Sequence, residues 1–288
     1  MQHKTSNRPT AIILADNPLC EDLNNIFELK EKSMLMVAGH TVIEHVLMEL
    51  QDLNFEQCII LSKGDAQQVQ KLVGDSKRWG MSINVMDYSL SVGQVLREYK
   101  SLSEPTGLLV IEADRLRSHC IQDFLQAASA ADYNLVEGIY QQERVGITLL
   151  KHNNSAFIIN AMPTQLVALT TNVLSSIQDF HRANFDVMAG HFAGLVPSVR
   201  RNLTLGARQH WASKVHKRSI LDSTNVMIDR HCRVGRNVSL SSVILNHNVY
   251  VESNASLENS IVMPNTIVAG RQAFKNSIVC EGTVFSIF

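Results

Sequence analysis

The stretch from Ala11 to Leu50 reads AIILADNPLCEDLNNIFELKEKSMLMVAGHTVIEHVLMEL. Ala11–Ala15 is a short run of small and aliphatic residues, as in a strand buried on both faces. From about Thr41 to Leu50 the apolar residues recur at helical spacing. A strand followed by a loop and a helix is the first unit of an α/β fold. In such folds the first turn is where phosphates bind, because helix and loop amides point there. Here that turn is Asp16-Asn17-Pro18-Leu19-Cys20-Glu21-Asp22, with three acids and no glycine. It has the position of a nucleotide loop and the wrong chemistry for one.

Outward from this stretch, apolar runs alternate with helical patterns. Strands are expected at 11–15, 57–62, 82–87, 107–112, 134–140 and 145–150, and helices at 41–53, 65–73, 91–101 and 118–131. Asp65 is placed as an N-cap and Gly74 as the residue that ends the same helix. This pattern defines a mainly parallel sheet covered by helices. The strand Gly107–Glu112 runs into Ala113-Asp114. An acid at the carboxyl end of a parallel strand either ligates a divalent metal or caps the next turn. The segment 173–188, with Phe180, Phe185, Val187 and Met188, reads as a covering helix.

Composition narrows the function classes. The chain has 288 residues, 45% of them hydrophobic, and a formal net charge of −1. That balance gives no footprint for nucleic acid or an anionic membrane. No apolar run reaches the ~18 residues of a membrane span, and the polar start MQHKTSNRPT has no signal-peptide core. Five scattered cysteines without a CxxC pair fit reduced thiols in the cytoplasm and no zinc site. His40 and His45 lie five apart and would face different ways on a helix. There is no GxSxG nucleophile.

From about Met227 the chain repeats every ~17 residues. Ile228, Leu245, Val262 and Val279 share one phase; Val234, Val251, Val268 and Phe285 a second; Leu240, Leu257 and Phe274 a third. Short beats, three to a turn, define a β-helix in which inward aliphatics stack on their equivalents. A β-sandwich would not keep such a fixed self-similarity. The expected organisation is an α/β domain over 1–190, a lead-in with a basic stretch over 191–226, and a β-helix of three to four rungs over 227–288. An exposed last coil around Phe285–Phe288 would favour an oligomer.

An α/β domain followed by a hexapeptide-repeat β-helix is similar to the sugar-1-phosphate nucleotidyltransferases, the NDP-sugar pyrophosphorylases. Val37–Leu47 (VAGHTVIEHVL) resembles the family's VAGKPLIEHVL. Gly74–Met81 resembles GDGSRFGV, Gly107–Asp114 its strand ending in NGD, and Gln178–Met188 (QDFHRANFDVM) its PEDYLRANRDVL. The resemblance implies a Rossmann-like nucleotidyltransferase domain, a left-handed β-helix and transfer of an NTP's nucleotidyl group onto a sugar-1-phosphate with Mg²⁺. It also implies where the chemistry should lie. Leu14, Ala15 and Asp16 occupy the start of the nucleotide loop, with Glu21 where an arginine belongs. Lys32 matches the catalytic lysine. Gly93, in Leu90–Leu96, stands near the base-reading loop. Asp114 matches the first metal aspartate, while Val173 takes the place of the second. The sugar-phosphate elements have at most a remnant in Asn160–Pro163.

Missing oxyanion-type contacts each cost about 2.7–4 kcal/mol of barrier, so losing three removes on the order of 10⁶-fold in rate. The expectation is a degenerate member that regulates, senses or scaffolds in polysaccharide biosynthesis. It would bind an NTP or NDP-sugar and pair with itself or with a catalytic paralogue. The rival is an active transferase in which Asp16, Glu21 or Asp22 joins Asp114 around Mg²⁺. A weaker third reading is acyl transfer by the β-helix, against which His231 and His247 read as corner residues.

Overall fold

The computed structural model describes residues 8–64, 66–99, 106–118, 121–151, 164–168, 170–199, 207–221 and 225–287, with backbone alone for 164–168. In chain order the first part comprises β1 (Thr10–Leu14), α1 (Glu21–Asn24), β2 (Met36–Val37), β3 (His40–Thr41), α2 (Val42–Asp52), β4 (Gln57–Leu61), α3 (Ala66–Val73) and β5 (Ser82–Met86). There follow α4 (Val92–Glu98), β6 (Leu108–Glu112), β7 (Leu116–Ser118), α5 (Ile121–Ser129), β8 (Leu135–Tyr140), β9 (Glu143–Leu150), β10 (Thr164–Ala168), β11 (Thr170–Asn172) and α6 (Ile177–Ala189). The expected N-cap Asp65 and the Asn160–Pro163 remnant lie outside the described residues.

Seven strands form one sheet in the order β10-β8-β9-β6-β1-β4-β5, all parallel except β9. Successive residues of β1 serve opposite faces, as the period of a strand requires. Ala11 and Ile13 pack with Ile43, Leu47, Val69 and Phe124 from α2, α3 and α5. Ile12 and Leu14 pack with Val95 and Leu96 of α4 on the other side. The α2 start is fixed by a capping box in which Thr41 and Glu44 satisfy each other's backbone amides. Gly74 closes α3 at φ +61° with its amide on the Gln70 carbonyl. The covering helix is shorter than its sequence suggests, because Ser176 caps it and the preceding turn leaves helical geometry at Leu174 (φ +50°).

The rest of the chain is a stack of parallel coils. The 17-residue register holds from rung to rung: Ile228 with Leu245, Leu245 with Val262, and Val262 with Val279. Val234, Val251 and Val268 form the second column, and Leu240, Leu257 and Phe274 the third. Corners adopt left-handed backbone. His231, Asn248 and Asn265 form one line, Asn237, Asn254 and Arg271 another, and Ser242, Asn259 and Asn276 the third. Asparagine tolerates this region because its short amide bonds locally. Its side chains also ladder between rungs, Asn248 onto Asn265 at 2.8 Å and Asn259 onto Asn276 at 2.8 Å.

Two features of the coil differ from the sequence reading. The segment 208–221, expected as lead-in, pairs in parallel with 227–240 at an offset of 19 residues. Two extra residues between the first turn and the second break the period and hide it. Phe285 does not continue its column. Thr283–Ser286 turns back and pairs antiparallel with Ala273–Cys280, so Phe285 faces Ile278. The hairpin covers the open edge that a further parallel coil would have left.

The coil shares a core with α1, α2 and α6. Met227, Ile244, Ile261 and Ile278 are each 0% exposed, one position before the inward column, and they point out of the coil. They join Leu23, Phe27, Val37, Phe180, Ala183 and Val187 in one cluster. Each such aliphatic contributes roughly 1.5–3 kcal/mol on burial. Replacing Ile261 by Ala is expected to cost about 2–5 kcal/mol in urea unfolding. It should shift sheet and coil together in a single transition, read by far-UV circular dichroism and tryptophan emission.

Candidate functional site

The strand order reverses at β1, which has β4 on one side and β6 on the other. The crevice beyond the carboxyl ends of β1 and β6 is where ligands bind in open α/β sheets. Leu14, Ala15 and Asp16 lead into it from β1, and Asp114 from β6. The Ala113 amide donates to the Leu14 carbonyl at 2.7 Å, which draws the two exits together. The Asp16 carboxylate accepts a short hydrogen bond from Ser89, just before α4. Gly93 lies in the first turn of α4, whose N-terminus is closed by a Ser91–Gln94 capping box.

The segment after β1 closes on itself. Pro18 bridges Glu31, the Lys32 amide donates to the Asn17 carbonyl at 2.9 Å, and the Leu19 amide to that of Lys30. Between these contacts Leu23, Ile26 and Phe27 are buried in the shared cluster, with Phe27 edge-on to Phe180 at 5.1 Å. Glu21 and Asp22 are exposed on α1. The Glu31 carboxylate is 3% exposed and accepts from Ser62 Oγ at 3.0 Å and from Ser33 Oγ at 3.4 Å. A buried carboxylate with satisfied oxygens therefore stands beside the exits of β1 and β4.

Lys32 and Asp114 are both committed to the protein. Lys32 Nζ donates to the Val173 carbonyl at 3.0 Å. Both oxygens of Asp114 accept from Arg115, Oδ1 from Nε at 2.6 Å and Oδ2 from Nη2 at 2.7 Å. Antiparallel pairing of Asn172 with Leu116 brings Val173 to the same end as Asp114. The crevice thus gathers Lys32, Asp114 and Val173. Among the described residues no three His, Cys, Asp or Glu side chains are placed to hold a metal ion. The residues do not fit Mg²⁺: Arg115 already supplies the charge that a cation would bring, and Val173 has no side-chain oxygen.

Behind Asp114 lies a buried ionic layer that the sequence reading missed. Arg117 donates Nε to the Val145 carbonyl at 2.7 Å and Nη2 to that of Gly146 at 2.8 Å, with a further short bond to the Glu112 carbonyl. Gly146 must be glycine here: at φ +66° its Cβ would fall 2.6 Å from Glu112 Oε2 and 2.9 Å from Arg117 Nη2. Burial lowers the Arg117 guanidinium to about 10. Glu49 of α2 accepts the Ile121 amide at 2.7 Å, and burial raises its carboxyl to about 7. His45, one turn earlier, faces the Val37 carbonyl through Nε2 at 3.0 Å, and burial pushes it down to about 4. A carbonyl only accepts, so Nε2 carries the proton and the ring is neutral. His40 belongs to β3 and not to α2, so its ring meets that of His45 at 5.5 Å.

Two stretches singled out by resemblance also meet. The Ala38 amide donates to Asn184 Oδ1 at 2.8 Å, and Asn184, wholly buried, donates to the Phe180 carbonyl. They form a structural joint, with His181 Nε2 reaching the Asn259 carbonyl of a coil corner at 3.0 Å. No family model matches this chain, and no curated protein matches it in sequence.

Glu49 gives a pH test. Its folded value lies above the ordinary 4.5, so folding favours the protonated form. That stabilisation is complete below about pH 4.5 and is lost as pH rises through about 7. Relative to the wild type, Glu49→Gln should gain about 2–3 kcal/mol between pH 5 and pH 8, measured by urea unfolding at each pH.

Proposed function

We propose that this protein is a non-catalytic relative of the sugar-1-phosphate nucleotidyltransferases, with a left-handed β-helix. On this reading it serves sugar-nucleotide and polysaccharide biosynthesis as a regulatory, sensing or scaffold subunit. One observation carries the proposal. Both oxygens of Asp114 are held by Arg115, and the loop after β1 fills its own space with Glu31, Leu23 and Phe27. The convergence of Lys32, Asp114 and Val173 at the reversal point supports descent from a transferase site. The same convergence, with an arginine in place of a cation and a valine in place of an acid, argues against transfer.

Phosphoryl and nucleotidyl transfer depend on positioning and charge neutralisation. This crevice offers a transition state one lysine already bonded to a carbonyl and one arginine already paired with Asp114. Pyrophosphate release, measured over a matrix of NTPs and sugar-1-phosphates with Mg²⁺, is expected to stay at the protein-free blank. Arg115→Ala should not restore it, because Val173 still lacks a ligand oxygen. Turnover by the wild type that rises with Mg²⁺ would contradict the proposal.

A further inference from the structure

A groove of about 440 Å³ lies on the coil. It shares no residue with the crevice at β1 and β6. Its walls carry Lys214, His231, Arg233, Asn248 and Tyr250. The parallel register sets Lys214 directly beside Arg233, and Arg233 directly beside Tyr250. Side chains one rung apart stand about 4.8 Å from each other, and like charges so placed are destabilising. Elsewhere the coil uses the same register for the opposite purpose. Glu258 and Lys275 are rung neighbours and form an ion pair at 2.8 Å.

The imbalance extends around the groove. Lys217, Arg218, Arg230 and Arg236 lie on the same two turns, and among the described residues none of them, nor Lys214 or Arg233, has an ion pair with an acid. Asp229, the acid of these described turns, is 5% exposed and accepts the Arg230 amide. The floor offers no nucleophile: Cys232 is buried, its thiol donates to the Asn246 carbonyl at 3.0 Å, and burial pushes it up to about 11. Tyr250 remains 43% exposed at the edge of the cationic pair.

We infer that this groove binds a phosphate-bearing anion, with Lys214 and Arg233 on the phosphate oxygens, His231 and Asn248 as further polar contacts, and Tyr250 beside whatever the phosphate carries. An anion between the two cations turns a repulsion into two attractions. Arginine suits this role because its planar fork matches phosphate oxygens. The groove holds a small ligand, and a free pyrophosphate and the diphosphate of a nucleotide share the chemistry that the cations recognise.

Calorimetric titration of the 288-residue chain with pyrophosphate and with a nucleoside diphosphate, at low ionic strength, tests this. Both probes are expected to bind, and K214Q with R233Q should weaken both by about tenfold or more. Added salt should weaken both as the Debye length shrinks. If Y250L weakens only the nucleoside diphosphate, the ring reads the base; if it leaves both unchanged, the phosphate alone is recognised. R233E, which reproduces the Glu258–Lys275 arrangement, is expected to raise Tm without ligand and to abolish the pyrophosphate-induced shift. Binding of neither probe would overturn the inference. So would unchanged affinity in K214Q/R233Q, or a pyrophosphate response that disappears in K32M. A change of oligomeric state in R233Q, without a loss of anion affinity, would overturn it too and reassign the face to contact between copies of the chain.

Discussion

The structure depends on one column of side chains pointing the opposite way from its neighbours. Met227, Ile244, Ile261 and Ile278 stand outside the coil, each next to a residue that points into it. A free-standing coil would present polar residues there. This one presents a flat apolar strip, and α6 lies against it through Phe180, Ala183 and Val187. Burial of four large side chains at roughly 1.5–3 kcal/mol each is comparable to the whole net stability of an ordinary domain. The coil therefore completes the core of the sheet half, and α6 is the element that both parts need.

This constraint reaches the crevice through the loop after β1. In an anion-binding loop the backbone amides face the ligand and the side chains are small. Here Leu23, Ile26 and Phe27 are bulky and are used to seal the joint beneath α6, while Leu19, Cys20 and Leu29 pack at its margin with Phe285 and Ile287 of the closing hairpin. A segment committed to packing cannot also keep its amides free for phosphates. The charges nearby follow the same logic. Arg115, Arg117 and Arg144 balance Glu112, Asp114 and Glu137 within the protein. The end of the sheet is electrically closed without a bound cation.

Much of this was legible in the sequence. Buried strands such as Ala11–Ala15 and Leu108–Glu112 announce themselves because both faces are apolar, and the 17-residue period survives because each inward aliphatic stacks on its equivalent one rung away. Other features were not legible, for physical reasons. Two extra residues between the first turn and the second removed the first turn from the periodic pattern. Phe285 kept the right spacing and took the other direction, since spacing does not distinguish a further coil from a returning strand. The outward column was hidden in the dipeptides Met227-Ile228, Ile244-Leu245, Ile261-Val262 and Ile278-Val279, which read as one aliphatic signal each. Two adjacent buried aliphatics per rung, where a coil needs one, are the mark of a second interface. For the crevice, position was readable and commitment was not. Asp114 and Lys32 were singled out by resemblance alone, and their bonds to Arg115 and to the Val173 carbonyl depend on contacts that no local pattern encodes.

The segment after β1 is core and not a ligand loop. Hydrogen exchange of the amides of residues 23–35, followed by mass spectrometry with and without NTP and Mg²⁺, tests it most directly. Protection close to that of β1 and α2, unchanged by nucleotide, is expected. Rapid exchange in the free protein that slows when nucleotide and Mg²⁺ are added would contradict it.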